Sequence, residues 1–428
     1  MSMTMRVLLA LGAGALLGLV LAVASPSAAE AAAGFFQPIG RLWLNALQMT
    51  VVPLVAALVV LGINAASEAA ASGRVARNAL IVFVVVLSLV AAFAAVFAPL
   101  LFGLMPRDPA MVESLRSALS AGEVVDVTLP GVGERIAALV PTNAIAAAAA
   151  NAMLPLVVFS LFFGFALSRI EGELKATLMN VIKGIGEVMI VIVRWVLWAA
   201  PLGVFALVLA VTARVGLHML QALAWYIIGM CIIYLGATLL MYVIARVAAG
   251  EPVRRFAKAV APAQAIAAST QSSLASLPAM VESARVRLGY PLSVTSLVLP
   301  MAVSLFRINS PTQYIGVAAF IAWAYGIDLT AGQMAMGAAL AVVVSMGAVG
   351  LPGQVSFMAT NMPVVQSMAL PVEPLGVLLA LDTIPDVFAT LGNVTADVAA
   401  TGIVAKHTAD VTDVPGAAEP APPPDTSA

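Results

Sequence analysis

The chain has 428 residues, 62% of them hydrophobic and only 10% charged, where an ordinary soluble domain carries about a quarter charged residues. Those figures exclude a soluble fold, and a net charge of -1 offers no basic field for nucleic acid. The single cysteine, Cys231, cannot form an intramolecular disulfide and reads as a small buried apolar residue; the only two histidines, His218 and His407, assemble neither a zinc site nor a Ser-His-Asp triad, so no enzyme is expected.

Apolar stretches long enough to span a bilayer, about 20 residues each, occur near 5–25, 41–66, 75–104, 140–168, 176–210, 217–247, 289–325 and 374–404. The first begins with Arg6 and ends at Ala24-Ser25-Pro26-Ser27-Ala28-Ala29, a pattern shared with secretory signal peptides. Its length favours a first transmembrane helix. Two further segments, 259–285 and 331–368, are broken in the middle by polar, Gly or Pro residues into arms of about 10 to 15 residues, which suit re-entrant hairpins better than crossings. The expected fold is an all-α polytopic membrane protein of eight transmembrane helices plus two re-entrant helical hairpins, arranged as inverted repeats.

Basic residues test that count. With an inner N-terminus the cytoplasmic joints are Arg74 and Arg77, Arg169 to Lys175, then Arg246, Arg254, Arg255 and Lys258, with Arg285 and Arg287 after the first hairpin, as the positive-inside rule asks. A mixed-charge outer loop holds Arg107, Asp108, Glu113, Arg116, Glu123 and Asp126. Both termini are then cytoplasmic, in a multi-pass protein of the cell (inner) membrane. Residues 408–428, rich in Pro, Ala and Asp, read as a disordered tail.

The last helix carries Asp382, Asp386, Thr390, Asn393 and Asp397, positions that fall within an arc of roughly 80° at 3.6 residues per turn. Three carboxylates on one face of an apolar helix belong in a cavity that holds cations or ammonium groups, each costing about 2.5 to 3.5 kcal/mol at membrane depth. The competing reading pairs them with basic residues of neighbouring helices, Arg194 and Arg307 being the main ones. The first hairpin turns through Ser269 to Pro278, where Ser272 and Ser273 could bind a substrate carboxylate; an ordinary polar turn fits those residues equally. The second turns through Ser345 to Gly353, including Leu351, and reads either as a gate or as a simple helix break. Two interrupted hairpins, each followed by a helix with polar residues, describe a transporter. An anion-conducting channel is the rival class.

Five stretches resemble the glutamate-transporter homologues, the dicarboxylate/amino acid:cation symporters: Leu47 to Val55, Val140-Pro141-Thr142-Asn143 with Met153 to Leu167, Ala200 to Leu207, Gln271 to Pro278 with Gly350-Leu351-Pro352-Gly353, and, most specifically, Asp382 to Asp397. The resemblance covers about residues 1–407. It implies a homotrimer and one transporter unit moving a small molecule through the lipid bilayer by an elevator motion. Its scaffold would be about 5–66 and 140–210, and its transport domain about 75–104 and 217–405.

Departures from the family pattern shape the rest. Where acidic-substrate members carry an Arg on the last helix, this chain has Ala389; the seventh-helix "NMDGT" is replaced by Arg307-Ile308-Asn309-Ser310-Pro311-Thr312. Depending on register, Asn309 or Ser310 stands at the missing acid. The resemblance therefore implies a substrate site of Ser272, Ser273, Leu351, Asp386, Ala389, Thr390 and Asn393, and a charge-coupling set of Arg307, Asn309, Asp382, Asn393 and Asp397. The expected substrate is a neutral amino acid, its amine on Asp386. The alternative is a dicarboxylate or acidic amino acid gripped by Arg307. No cofactor is implied. The coupling ion is left between sodium, at Asn393 and Asp397, and a proton; with Phe83-Val84-Val85-Val86-Leu87 on the third helix and only Ser88 nearby, the full sodium set is not expected.

Overall fold

The computed structural model describes residues 3–71, 73–107, 112, 140–347 and 353–412, and among these every regular element is helical. Ser25 caps α2 (Pro26–Gln48), accepting a hydrogen bond from the Ala28 amide with Pro26 in the first turn, a start signal that needs no hydrophobic run. The helical stretch expected at 41–66 therefore begins at Pro26 and continues through α3 (Val51–Ala71). Ahead of it, α1 (Met3–Ala24) lies along α8 (Ala200–Val215). A Cβ on Gly14 would stand 2.8 Å from the Phe205 carbonyl oxygen, and one on Gly18 2.9 Å from that of Leu209. This small-residue spacing lets two helix backbones approach closely without aqueous hydrophobic driving force, as suits a first transmembrane helix.

After α4 (Arg74–Leu104), the stretch expected at 140–168 is divided into α5 (Ala144–Ala149) and α6 (Met153–Leu167), with Asn151 at φ 52 between them. The stretch expected at 176–210 is likewise two helices, α7 (Glu173–Trp198) and α8. Pro201 in the first turn of α8 prevents one continuous helix. The Trp43 indole N–H donates to the Val196 carbonyl at 3.0 Å, which satisfies an end-of-helix acceptor of α7 from α2.

α9 (Leu217–Ile244) ends in a π turn over Ala245–Ala249. The first hairpin consists of α10 (Val253–Thr270) and α11 (Ser273–Glu282), of 18 and 10 residues, the first arm longer than expected. Its tip is made by Gln271 in the left-handed region and Ser272, which caps α11 by accepting from the Ala275 amide. α12 (Leu292–Leu305) and α13 (Asn309–Tyr325) follow, then the second hairpin's arms α14 (Ala331–Gly347) and α15 (Gly353–Ser367), and finally α16 (Leu375–Leu381) and α17 (Thr383–Thr412). α17 runs past the expected start of the tail at 408; residues 413–428 lie outside the described residues.

Seven helical stretches among the described residues are long and apolar enough to cross a membrane, and α6, α8 and the first arm of the second hairpin are shorter apolar helices. Seven of the eight expected crossings overlap these stretches; the eighth, at 140–168, holds the 15-residue α6. α17 sits at the centre of one packed group, against α9, α10, α12 and α4, while α1, α2 and α8 pack together, as do α3, α6 and α7. Cys231 is half-buried rather than enclosed.

Candidate transport site

Two helix breaks build the site. Pro311 in the first turn of α13 has no N–H, and its ring crowds the carbonyl four residues back, that of Arg307. The chain therefore unwinds at Phe306 (φ -123, ψ 83) instead of continuing α12 into α13. Pro385 does the same to the Leu381 carbonyl and offsets α16 from α17 at Asp382, although the Asp382 amide still reaches Leu378 and that of Asp386 reaches Asp382.

The breaks bring Arg307 and Asn309 against the polar stripe of α17. The Asn309 backbone N–H donates to Asn393 Oδ1 at 3.0 Å, and its side-chain amide donates to the Ala389 carbonyl at 2.7 Å. Asn309, not Ser310, is thus the residue that faces the stripe. Gln313, one turn on, donates through Nε2 to Asp382 Oδ1 at 2.8 Å. Thr390 turns its hydroxyl to the Asp386 carbonyl at 2.9 Å. Asp382, Thr390, Asn393 and Asp397 are all buried, Asp386 is half-buried, and among the described residues neither carboxylate oxygen of Asp397 has a hydrogen-bond partner.

The alternative in which the carboxylates pair with basic residues is not realised among the described residues. Their ion pairs, Lys175–Glu68, Arg214–Glu30, Arg255–Glu251 and Arg287–Glu282, lie elsewhere. Arg194 is exposed on α7. Arg307 is half-buried, and its charge acts on Asp382, Asp386 and Asp397 together without a contact ion pair to any of them. Beside it Phe306 stacks on Phe83 of α4, centroids 4.6 Å apart and planes 13° from parallel. The Ser88 hydroxyl is turned to the Val84 carbonyl of its own helix.

Of the expected substrate residues, Asp386, Ala389, Thr390 and Asn393 share α17. Ser272 and Ser273 stand half-buried at the tip of a hairpin whose arms both pack on α17. Leu351 lies outside the described residues. Sequence reasoning missed Gln313; its only signal is a second amide one turn after Asn309 in a helix that is apolar beyond it. It also missed Gly392, where an added Cβ would run into the Asn309 amide and stand 2.6 Å from the Thr238 hydroxyl. Gly392→Ala is therefore expected to push Asn309 off Ala389 and Asn393. Overpacking of this kind costs about 1 to 3 kcal/mol. Uptake by the folded variant should fall at least several-fold, and wild-type uptake would show that the contact is dispensable.

The profile of the Sodium:dicarboxylate symporter family matches residues 3–407, nearly the whole chain and all of the site just described. The chain belongs to the Sodium:dicarboxylate symporter family. It is accordingly a multi-pass membrane transporter and not an enzyme. It is 32% identical over 412 residues to the proton/glutamate-aspartate symporter of Escherichia coli (strain K12), covering 95% of this chain and 92% of that protein. It is 28% identical to the proton/sodium-glutamate symport protein of Bacillus caldotenax, over 87% of this chain and 88% of that one. With C4-dicarboxylate transport protein 2 of Ralstonia nicotianae the figures are 27%, 92% and 87%.

Proposed function

We propose that this protein is a cation-coupled symporter for a small acidic substrate, an aspartate- or glutamate-like amino acid or a C4-dicarboxylate, with Arg307 as the anchor for a substrate carboxylate. The observation that carries this reading is a half-buried guanidinium at the α12–α13 break, within electrostatic reach of three aspartates and with no contact ion pair or hydrogen bond among the described residues. A guanidinium fork in an apolar body is matched to a planar carboxylate, which it binds through two parallel hydrogen bonds. The substrates in the names of the similar proteins support the same choice over a neutral amino acid.

Charge balance supports cation coupling. Three carboxylates and one guanidinium leave the site negative, so an anion enters favourably only with a cation beside it. A proton suits this chain better than a full sodium set. Asn393 Oδ1 is already taken by the Asn309 amide, and the wall toward α4 is a stacked phenylalanine pair; a hard cation wants several free oxygens. The proposal includes the elevator motion, the homotrimer, the scaffold and transport-domain division, and cytoplasmic termini, all carried by family resemblance and charge placement.

A second reading keeps the neutral amino acid, favoured by Ala389, which leaves no cation on the stripe itself. Uptake into proteoliposomes separates the two. Labelled aspartate and succinate should enter at an inward proton gradient with sodium replaced by choline, and alanine or serine should compete only weakly. Stronger competition by the neutral amino acids overturns the acidic assignment, and steep, cooperative dependence on sodium overturns the coupling assignment.

A further inference from the structure

Of the three tyrosines of α9, Tyr226 and Tyr234 have wholly buried side chains; among the described residues neither hydroxyl makes a hydrogen bond of full geometry, and that of Tyr234 lies beside the Gln313 side chain. Eight residues apart, they stand about 12 Å apart along the helix. A buried hydroxyl left unpaired costs about 1 to 3 kcal/mol, and polar groups enclosed in this way are ordinarily satisfied by internal water. Both lie within the electrostatic reach of Asp382, and Tyr234 also within that of Asp386. Gln313, beside the Tyr234 hydroxyl and donating to Asp382 Oδ1, joins that end of the pair to the first carboxylate of the stripe.

Asp382 differs from its neighbours on the stripe in the kind of partners it has. Its Oδ1 accepts from the Gln313 amide at 2.8 Å; like Asp386 and Asp397, it has no paired guanidinium among the described residues. The titratable and charged groups facing it are Tyr226 and Tyr234 of α9, Tyr314 of α13, Arg307 at the break before α13, and Asp386 of α17. A neutral amide and phenols suit both protonation states, because a hydroxyl donates to a carboxylate and accepts from a carboxylic acid. A contact guanidinium, which only donates, would hold the carboxylate ionised.

Resting on the acidic-substrate symporter reading, we propose that Asp382 is the group that carries the coupled proton, reached through water ordered along the Tyr226 and Tyr234 hydroxyls. A proton from bulk water passes along that file to the Asp382 carboxylate and forms its O–H. Arg307 is then released from balancing Asp382 and takes the substrate carboxylate. On the other side the O–H ionises, the proton leaves to water with the substrate, and Arg307 again balances the restored carboxylate. No electron transfer and no other reactant are involved.

The test uses the full chain in proteoliposomes with a pH-sensitive dye inside. For aspartate, whose net charge one proton balances, a gradient of about one pH unit supports about tenfold accumulation, with acidification of the lumen on each substrate pulse. Asp382→Asn should abolish both the substrate-driven acidification and the stimulation by the gradient. The double variant Tyr226→Phe with Tyr234→Phe keeps both rings and removes only the hydroxyls, so it remains informative if the aspartate variant does not fold. It should slow gradient-driven uptake at least several-fold and shift the pH profile of uptake. Lumen acidification that persists in Asp382→Asn overturns the proposal, as does wild-type gradient-driven uptake in the double variant. If the wild type accumulates aspartate with no acidification, the Asp382 proposal falls and the transport reading stands. If it takes up no acidic substrate, the transport reading itself has failed.

Discussion

Replacing Arg307 with alanine is expected to lower uptake of acidic substrates by a factor of about a hundred to several thousand. The variant leaves the substrate's carboxylate desolvated and unpaired, a loss of about 3 to 5 kcal/mol, and each 1.4 kcal/mol or so is tenfold in affinity. Arg307→Lys keeps the charge but loses the two-pronged geometry and should recover only part of the activity. The fold should survive, because among the described residues the guanidinium makes no ion pair whose loss would strand a partner. Thermal-shift binding beside uptake separates lost binding from lost protein. A variant that still binds succinate like the wild type would remove Arg307 from the site.

Asp386→Asn is expected to divide the substrates. Its carboxylate is half-buried on the stripe face, and only the Asp386 backbone is used in the helix, by Thr390 and by the turn to Asp382. The side chain is therefore free to meet a ligand ammonium group. Loss of that charge partner should weaken aspartate and glutamate about a hundredfold, the scale of a broken buried charge pair. Succinate has no amine and should be spared or bound more tightly. Equal losses for aspartate and succinate would show that Asp386 is not an amine partner, and aspartate uptake at the wild-type level would show the same.

The polar stripe of the last helix was legible because five polar residues at helical spacing stand out against an apolar background, and their arc follows from 3.6 residues per turn alone. The two helical hairpins were legible from the polar or glycine-rich breaks at their tips, although their first arms, of 18 and 17 residues, are longer than the sequence suggested. Helix boundaries were less so. Ser25 and Pro26 start α2 well before the hydrophobic run becomes continuous, and Pro201 ends what hydropathy reads as one span.

Composition, spacing and the positions of proline thus determine that this chain is a helical membrane transporter with carboxylates along one helix face, since these are local properties of a chain in a low-dielectric solvent. Only the tertiary structure decided which residues meet that face. The Asn309–Asn393 contact joins positions 84 apart, and the Gln313–Asp382 contact positions 69 apart. Neither is implied by any periodicity. In sequence both Arg194 and Arg307 were candidates to pair with the aspartates; packing exposes the first and half-buries the second within electrostatic reach of them. Nothing in the sequence singles out Tyr226 or Tyr234; only the fold places their enclosed hydroxyls within electrostatic reach of Asp382. Electrostatic partnership depends on distance through the fold, and distance is what a sequence does not contain.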